Sequence, residues 1–175
     1  MEPVIRAAAA DDLPAVTAIY DAIHDAEATG ALTTGWLRGV YPTADTAAAA
    51  LERGELFVLE TEGTVRGAAI INRTQVDVYA GAPWSCDAPE EAVCVLHTLV
   101  ISPAAPRRGL GRRFVGFYEA YARSLGCTEL RIDTNERNTA ARAMYAALGY
   151  REIAVVPTRF NGIPDVLLVL LEKQL

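Results

Sequence analysis

The sequence predicts a mixed α/β domain, because helical and strand-like patterns alternate along its whole length. Hairpin-like pairs of strands occur near both ends, and the centre follows a β-α-β-α-β order. The length of 175 residues fits one domain, and the 51% hydrophobic content is enough for one core. No internal repeat or low-complexity linker interrupts the pattern. We therefore expect a single domain over residues 1–175 with a mixed sheet.

Capping and turn residues mark the elements of the first half. Asp11 or Asp12 can cap a helix with apolar residues at helical spacing, and Thr43 can cap an alanine-rich helix that ends at Gly54. Residues 29–42 are irregular and contain two aromatic residues. The strands expected here lie at 4–8, 56–61 and 65–73, the last two as a hairpin about Glu62 and Gly63.

The second half alternates more regularly. Residues 80–90, with two prolines, predict a loop, and β-branched and apolar residues predict a strand over 92–101. Helices are expected from Gly109 or Gly111 to Leu125 and from Asn138 to Leu148, each followed by a glycine. The remaining strands are expected at 129–134, 150–156 and 166–171.

Charge and composition exclude several classes of function. The net charge is −6, which argues against a broad nucleic-acid surface, and no apolar stretch approaches the roughly 20 residues of a membrane helix. The chain has two histidines without metal-ligand spacing, so no metal site is expected. Three cysteines without a CxxC motif suggest reduced thiols. We expect a cytoplasmic protein without a membrane or nucleic-acid partner.

A glycine-rich turn with four arginines, Arg107 to Arg113, precedes the helix at 109–125. Cations in a first helical turn oppose the helix dipole, so this cluster favours a bound anion such as a pyrophosphate. A P-loop is excluded because GxxxxGK[ST] is absent, and a Rossmann turn is disfavoured because Phe114 occupies the third glycine position. The remaining alternatives are a coenzyme A turn and a helix start with solvated arginines.

A second motif decides between these alternatives. Asn138, Ala141, Tyr145, Gly149 and Tyr150 match the pattern NxxAxxxYxxxGF, and Gly109-Leu-Gly111 matches the end of [Q/R]xxGx[G/A]. With both motifs in order, the chain over roughly residues 55–172 resembles the GCN5-related N-acetyltransferases (GNAT). Pro106 stands where that family usually has glutamine or arginine. Because the turn binds mainly through backbone N–H groups, we expect binding to survive this difference.

The resemblance implies a mostly antiparallel, splayed, seven-stranded sheet flanked by about four helices. It also implies direct transfer of an acetyl group from acetyl-CoA, the co-substrate, to an amine, with no metal. Tyr145 would protonate the coenzyme A sulfur, since a phenol with a pKa near 10 can donate to a thiolate. The residues implied in coenzyme binding are Leu99, Val100, Ile101, Arg107, Arg108, Gly109, Leu110, Gly111, Arg112 and Asn138.

The general base is less clear from the sequence. Many relatives carry a glutamate at the position that aligns with Val95, and valine cannot accept a proton. His97 would share the face of Val95 on an unbulged strand, and its ordinary pKa of about 6.5 suits a base. The alternatives are a buried histidine with a structural role, or a water relay without a single base. Asp133 and Glu27 are weaker candidates.

In such proteins the acceptor pocket usually forms from the irregular segment after the first helix and from the third strand with its loop. Amides within an apolar strand are costly to bury without a partner, so they mark a binding site or an internal contact. Aromatic side chains grouped with amides favour a small amine acceptor. The candidate substrate-binding residues are Trp36, Tyr41, Asn72, Gln75 and Tyr79.

Two other functions stay open at this level. The chain could be a non-catalytic acyl-CoA sensor, although the presence of Tyr145 argues against it, or, with less support, a dinucleotide-binding protein. The apolar run at 166–171 is compatible with a homodimer.

Overall fold

The computed structural model describes residues 2–105 and 108–175, which contain seven strands and four α-helices. The strands form one open sheet in the order β1-β2-β3-β4-β5-β7-β6. Their bounds are β1 Val4–Ala7, β2 Leu56–Thr61, β3 Thr64–Asn72, β4 Val93–Ile101, β5 Glu129–Asn135, β6 Arg151–Phe160 and β7 Ile163–Gln174. The predicted mixed sheet and its splayed, mostly antiparallel form are confirmed.

The helices cover both faces of the sheet. They are α1 Leu13–Ala28, α2 Ala44–Glu52, α3 Leu110–Ser124 and α4 Thr139–Ala147. α3 and α4 pack on one face, where Phe114 and Tyr118 are fully buried against Cys94, Leu96 and Leu130. α1 and α2 cover the opposite face near β2 and β3, with Val16 and Ala47 in the core. No helix in these two stretches of chain is long and apolar enough to cross a membrane.

The β4–β5 pair is parallel, whereas every other neighbouring pair is antiparallel. Its register runs from Val93 opposite Glu129 to Leu96 opposite Ile132, and there the pairing ends. Both strands continue, β4 to Ile101 and β5 to Asn135, so their upper halves separate. Beyond this point β4 is paired only with β3, and β5 only with β7.

A β-bulge coincides with the separation. The β3–β4 register shifts between Ala68 and Ile70, and Thr98 adopts a positive φ of 50°. Such a bulge reverses the alternation of side chains along the strand. Leu96 and Leu99 therefore both point to the α3 face, and His97 lies with Val95 on the other face, as expected for the part of β4 before the bulge.

The position of β7 changes one interpretation of the sequence. β7 lies between β5 and β6 and is paired on both sides, and Val169, Leu170 and Leu171 are fully buried. Burial within the sheet accounts for its apolar run, which gives no specific support for a dimer. The edge strand at this end of the sheet is β6, which extends to Phe160 and is longer than the 150–156 expected.

Candidate active site

A cavity of about 320 Å³ lies where β4 and β5 separate. Its inner wall consists of Leu96–Leu99 from β4, Asp133–Asn135 from β5, and Tyr145 from α4. Its outer wall comes from the segment after α1 and from the β6–β7 hairpin; the lining residues there include Trp36, Tyr41, Phe160, Asn161 and Ile163. The sheet separation thus creates a concave space bordered by strand backbone and a tyrosine.

Tyr145 reaches this cavity from the α3 and α4 side of the sheet. The residue is 5% exposed, and its ring makes an edge contact with Tyr150 at 5.8 Å between centroids. Within the described residues its hydroxyl has no hydrogen-bond partner. Burial, with the charge of Asp133 as a smaller cause, raises the pKa of Tyr145 above its usual value of 10.0. The hydroxyl therefore keeps its proton at neutral pH.

The glycine turn lies directly beside this site. A Cβ built at Gly111 would lie 3.1 Å from the Met144 Sδ and about 4.0 Å from Ile101 Cγ1, so α3 packs closely against α4 and the end of β4 at this glycine. Gly109 adopts a left-handed φ of 71° just before α3. The turn and the tyrosine helix, which are far apart in sequence, therefore meet in space.

The start of α3 fits a coenzyme A phosphate chemically. The first intrahelical bond runs from the Arg113 N–H to the Gly109 carbonyl, so the N–H groups of residues 110–112 have no acceptor within the helix. Arg108 and Arg112 are exposed, and a Cβ at Gly109 would meet nothing within 4 Å. Open N–H groups flanked by cations suit a pyrophosphate. Pro106 and Arg107 lie outside the described residues.

Asn138 lines the cavity and caps α4. Its Oδ1 accepts a hydrogen bond of 3.3 Å from the Ala141 N–H. This contact satisfies one of the free N–H groups of the helix. The predicted coenzyme-binding residues Leu99, Val100 and Ile101 lie on the upper half of β4, which is free on its β5 side. Leu99 lines the cavity, whereas the side chains of Val100 and Ile101 pack into the two opposite cores.

His97 lies in the β4 wall and is held by the protein itself. Its Nε2 is 2.8 Å from Asn72 Oδ1, which also accepts a bond from the Thr74 N–H, so Nε2 is the donor. Burial lowers the pKa of His97 to about 4, against the smaller opposing effect of a backbone contact at Thr74. A neutral imidazole with a low pKa is a weak base. These features favour the structural interpretation of His97.

The predicted acceptor residues divide into two groups. Trp36, Tyr41 and Asn72 line the cavity, and the Tyr41 hydroxyl bonds to Thr98 Oγ1. Gln75 and Tyr79 do not line it. The Gln75 amide oxygen accepts a bond from the Arg131 guanidinium. This partly buried amide is therefore satisfied within the protein and not by a ligand.

Tyr79 lies behind the β5 wall, where it supports the carboxylate of Asp133. Its hydroxyl donates a hydrogen bond of 2.7 Å to Asp133 Oδ2. The position of Tyr79 is fixed in turn, because the Trp84 Nε1 donates to its carbonyl and the Arg131 guanidinium lies 4.1 Å from the centre of the Trp84 ring. Tyr79 thus acts on the cavity through Asp133.

Asp133, a weaker candidate for the base in the sequence analysis, lines the cavity. Burial raises the pKa of its carboxyl to about 6, and the bond from Tyr79 acts in the opposite direction. Within the described residues Oδ1 accepts no hydrogen bond. A signal did exist in the sequence: β5 alternates polar and apolar residues, so Glu129, Arg131, Asp133 and Asn135 share one face, and two of them are at least 94% buried.

Glu27, the other weak candidate, anchors the loop over the cavity. Its carboxylate accepts bonds from the Thr34 N–H, the Thr34 hydroxyl and the Gly35 N–H, at 2.7 to 3.1 Å, and pairs with Arg137 at 3.3 Å. These contacts connect the C-terminal end of α1 to the segment that carries Trp36. Within the described residues no cluster of three metal-ligating side chains occurs.

Comparisons with solved structures match the whole fold. An N-acetyltransferase from Staphylococcus aureus Mu50 is 19% identical, with a TM-score of 0.74 and 99% of each chain covered. The Salmonella typhimurium protein yncA, solved with its cofactor acetyl-CoA, is 22% identical with a TM-score of 0.69 over 99% of this chain and 94% of that one. At these identities the likeness shows the fold.

Comparisons of sequence add the family. The aminoglycoside N(6')-acetyltransferase type 1 of Klebsiella aerogenes is 34% identical over 74 residues, which are 42% of this chain and 49% of that protein. The match thus spans about half the length of that curated relative. The family model described as Acetyltransferase (GNAT) family matches residues 18–150. This chain belongs to the GNAT family of acetyltransferases.

Proposed function

We propose that this protein transfers an acetyl group from acetyl-CoA to the amine of a small molecule, with Tyr145 as the proton donor to the departing sulfur. One observation carries the proposal. The hydroxyl-bearing side chain of Tyr145 and the upper half of β4, which is free on its β5 side, meet at one cavity, and Gly111 at the start of α3 lies against Met144, the residue before Tyr145. Family membership supports the same reaction class.

The residues would divide the work as follows. The N–H groups at the start of α3, with Arg108 and Arg112, hold the phosphates, and the free backbone edge of β4 aligns the acyl arm. The acceptor nitrogen forms a bond to the acetyl carbon as the carbon–sulfur bond breaks. An acceptor that binds as an ammonium ion first releases one proton to solvent, because only the neutral nitrogen can attack. Tyr145 gives its proton to the sulfur and regains one from solvent, and the nitrogen releases a second proton as the amide forms, so atoms and charge balance.

A small acceptor fits the enclosed site better than a protein tail. The cavity of about 320 Å³ is covered by the segment at 34–41 and by the β6–β7 hairpin. Its lining combines apolar and aromatic side chains with threonine and asparagine groups and one carboxylate, a mixture that suits a small amphiphilic molecule. The named activity of the Klebsiella aerogenes relative, on an aminoglycoside, is in line with a small acceptor.

We also propose the cytoplasm as the location. Cys86, Cys94 and Cys127 are all free thiols in the structure, and thiols persist in reducing compartments. The net charge of −6 supports a small-molecule partner over nucleic acid.

The test is a thiol-release assay with acetyl-CoA against a panel of amines, with mass spectrometry of the acetylated product. We expect thiol release that depends on the amine and a product heavier by one acetyl group. Binding of acetyl-CoA without thiol release for any amine would instead favour a sensor. Thermal stabilisation by NAD or NADP but not by coenzyme A would overturn the proposal.

A further inference from the structure

We infer that Asp133 is the binding group for the acceptor's ammonium, and that the acceptor is a compact amine with one positive charge and an apolar body. This inference rests on the proposed function, which supplies the amine. It names the acceptor class that this cavity takes and distinguishes it from the polycationic substrate class that the curated relative suggests.

The charges around the cavity carry the first step. Among the described residues that line it, Asp133 is the one acidic residue and Arg53 the one lysine or arginine. The Arg53 guanidinium already bonds to Glu55 Oε2 at 2.8 Å, so its charge is compensated by the protein. In the part of the chain that the structure describes, Asp133 has no cationic partner in contact with its carboxylate and is therefore the group that a cationic ligand would compensate.

The surroundings of Asp133 show which way it faces. Tyr79 occupies Oδ2 from the loop behind β5, and Leu170 of β7 lies beside it in the sheet register. The titratable groups near it from other elements are Tyr41, Tyr145 and, on the opposite wall, His97; all are neutral at pH 7. Oδ1 is thus available on the cavity side, within the same space as Tyr145.

One carboxylate sets the charge of the ligand. An ammonium ion next to Asp133 gains a charge-assisted hydrogen bond in a poorly solvated site. Each further buried ammonium would lose its hydration without a partner, which disfavours binding of a polycation. Much of the remaining lining is apolar and uncharged groups make up the rest; the apolar residues include Trp36, Val76, Phe160, Ile163 and Val166. An apolar body on a single amine matches this lining.

The groove outside the cavity makes a polyamine the most informative competitor. This second space of about 290 Å³ shares Gly35, Asn135, Ile163 and Val166 with the cavity and carries Glu136 and Asp165 beside Arg137. Arg137 is already paired with Glu27, but Asp165 is exposed and Glu136 is only partly buried, so water and salt screen both carboxylates and the groove adds little attraction for a second ammonium.

The experiment compares 2-phenylethylamine with spermidine and kanamycin at pH 7.5. We expect kcat/KM for 2-phenylethylamine to exceed that for either polycation at least tenfold. Asp133→Asn should raise the KM for 2-phenylethylamine at least tenfold and leave the KM for acetyl-CoA within twofold. The matched control is Asp165→Asn, which makes the same change in the outer groove and should alter the amine KM less than twofold.

A pH profile separates a binding role from a purely structural one. An alkylammonium ion keeps its charge between pH 5 and 8, so a fall in amine KM as pH rises through about 6 reports Asp133. Asp133→Asn should remove this limb. Tyr79→Phe should move it to higher pH, because the lost hydrogen bond had favoured the ionised carboxylate.

Several outcomes would overturn the inference. A higher kcat/KM for spermidine or kanamycin, or an amine KM unchanged in a folded Asp133→Asn variant, would each do so while thiol release continued. Absence of acetyl-CoA binding and of thiol release with every amine would remove the proposed function, and this inference with it.

Discussion

The β4 wall and the β5 wall of the cavity each contain a partly buried polar residue, but the two residues use their hydrogen-bonding capacity differently. His97 on β4 donates to Asn72, whose side chain in turn bonds to Glu55 and to the Thr74 backbone. Asp133 on β5 has one bond, from Tyr79, and faces the cavity with its second oxygen. The Asn72 side chain and the Nε2 of His97 are satisfied within the protein, whereas the Asp133 carboxylate has an oxygen left for a ligand.

This difference shows how to rank buried polar residues in a candidate site. A residue whose partners are all internal stabilises the wall that carries it. A residue with unused acceptors in a cavity has lost contacts with water that the protein does not fully replace with hydrogen bonds. This situation is more typical of functional groups. By this criterion Asp133 ranks above His97, although an aspartate is less suited than a histidine to act as a base at pH 7.

Tyr145→Phe gives the largest expected effect, because Tyr145 lies between the two walls and supplies the proton. We expect kcat to fall at least about 100-fold, the usual range for loss of a general acid. The phenylalanine ring keeps the contact with Tyr150, so the affinity for acetyl-CoA should stay within about threefold of wild type. Thiol release and calorimetric titration with acetyl-CoA measure the two quantities.

An unchanged kcat in this variant would show that another group donates the proton and would contradict the role proposed for Tyr145. A parallel loss of acetyl-CoA affinity and thermal stability would indicate a packing role instead.

His97→Gln tests the β4 wall through the pH dependence of stability. The pKa of His97 is lower in the folded state, about 4 against 6.5, so the unfolded chain binds more protons and wild type loses stability as pH falls from 6.5 towards 4. This single group accounts for about 2 kcal/mol between pH 7.5 and 5. The variant should lack that part of the loss, as measured by urea unfolding at both pH values.

Asp133→Asn tests the β5 wall in the same way, and the expected change of stability with pH has the opposite sign. The pKa of Asp133 is raised in the folded state from 3.8 to about 6, so its contribution to stability is present at pH 3.8 and below and is lost as pH rises to 6. Relative to wild type, the variant should therefore gain stability over this interval. Equal slopes of the unfolding free energy against pH in wild type and both variants would contradict the burial of these two groups.

Much of this fold could be predicted because local signals and tertiary structure agree. Thr43 does precede α2 in an extended conformation, Gly126 and Gly149 follow α3 and α4 with positive φ, and the hairpin at Glu62 and Gly63 joins β2 to β3. The two motifs at 109–111 and 138–150 carried the family, which the family comparison confirms. Element ends were less predictable, since β6 and β7 extend beyond their apolar cores by pairing with each other.

The walls of the site could not be predicted to the same depth. The bulge at Thr98 depends on the register between β3 and β4, and no residue type near it signals a positive φ. The partners of Asn72, Gln75 and Tyr79 come from elements 17 to 56 residues away. Whether each polar group meets protein or ligand is decided by these distant contacts, which spacing along the chain does not encode.

Gly35→Ala, with Gly39→Ala as its control, tests a smaller effect at the outer end of the β5 wall. Both glycines lie in the cavity-covering segment with φ near +75°, so both alanines carry the same backbone strain of about 1 kcal/mol. A Cβ at Gly35 would lie 2.2 Å from Asn135 Nδ2, whereas a Cβ at Gly39 meets nothing within 4 Å. Gly35→Ala should therefore displace the segment from β5 and raise the amine KM about three- to tenfold, with acetyl-CoA KM unchanged. Gly39→Ala should lower the melting temperature alone. Equal amine KM values for the two variants would show that the covering segment takes no part in acceptor binding. The β5 wall, with Asp133, would then be the part of the cavity that recognises the amine.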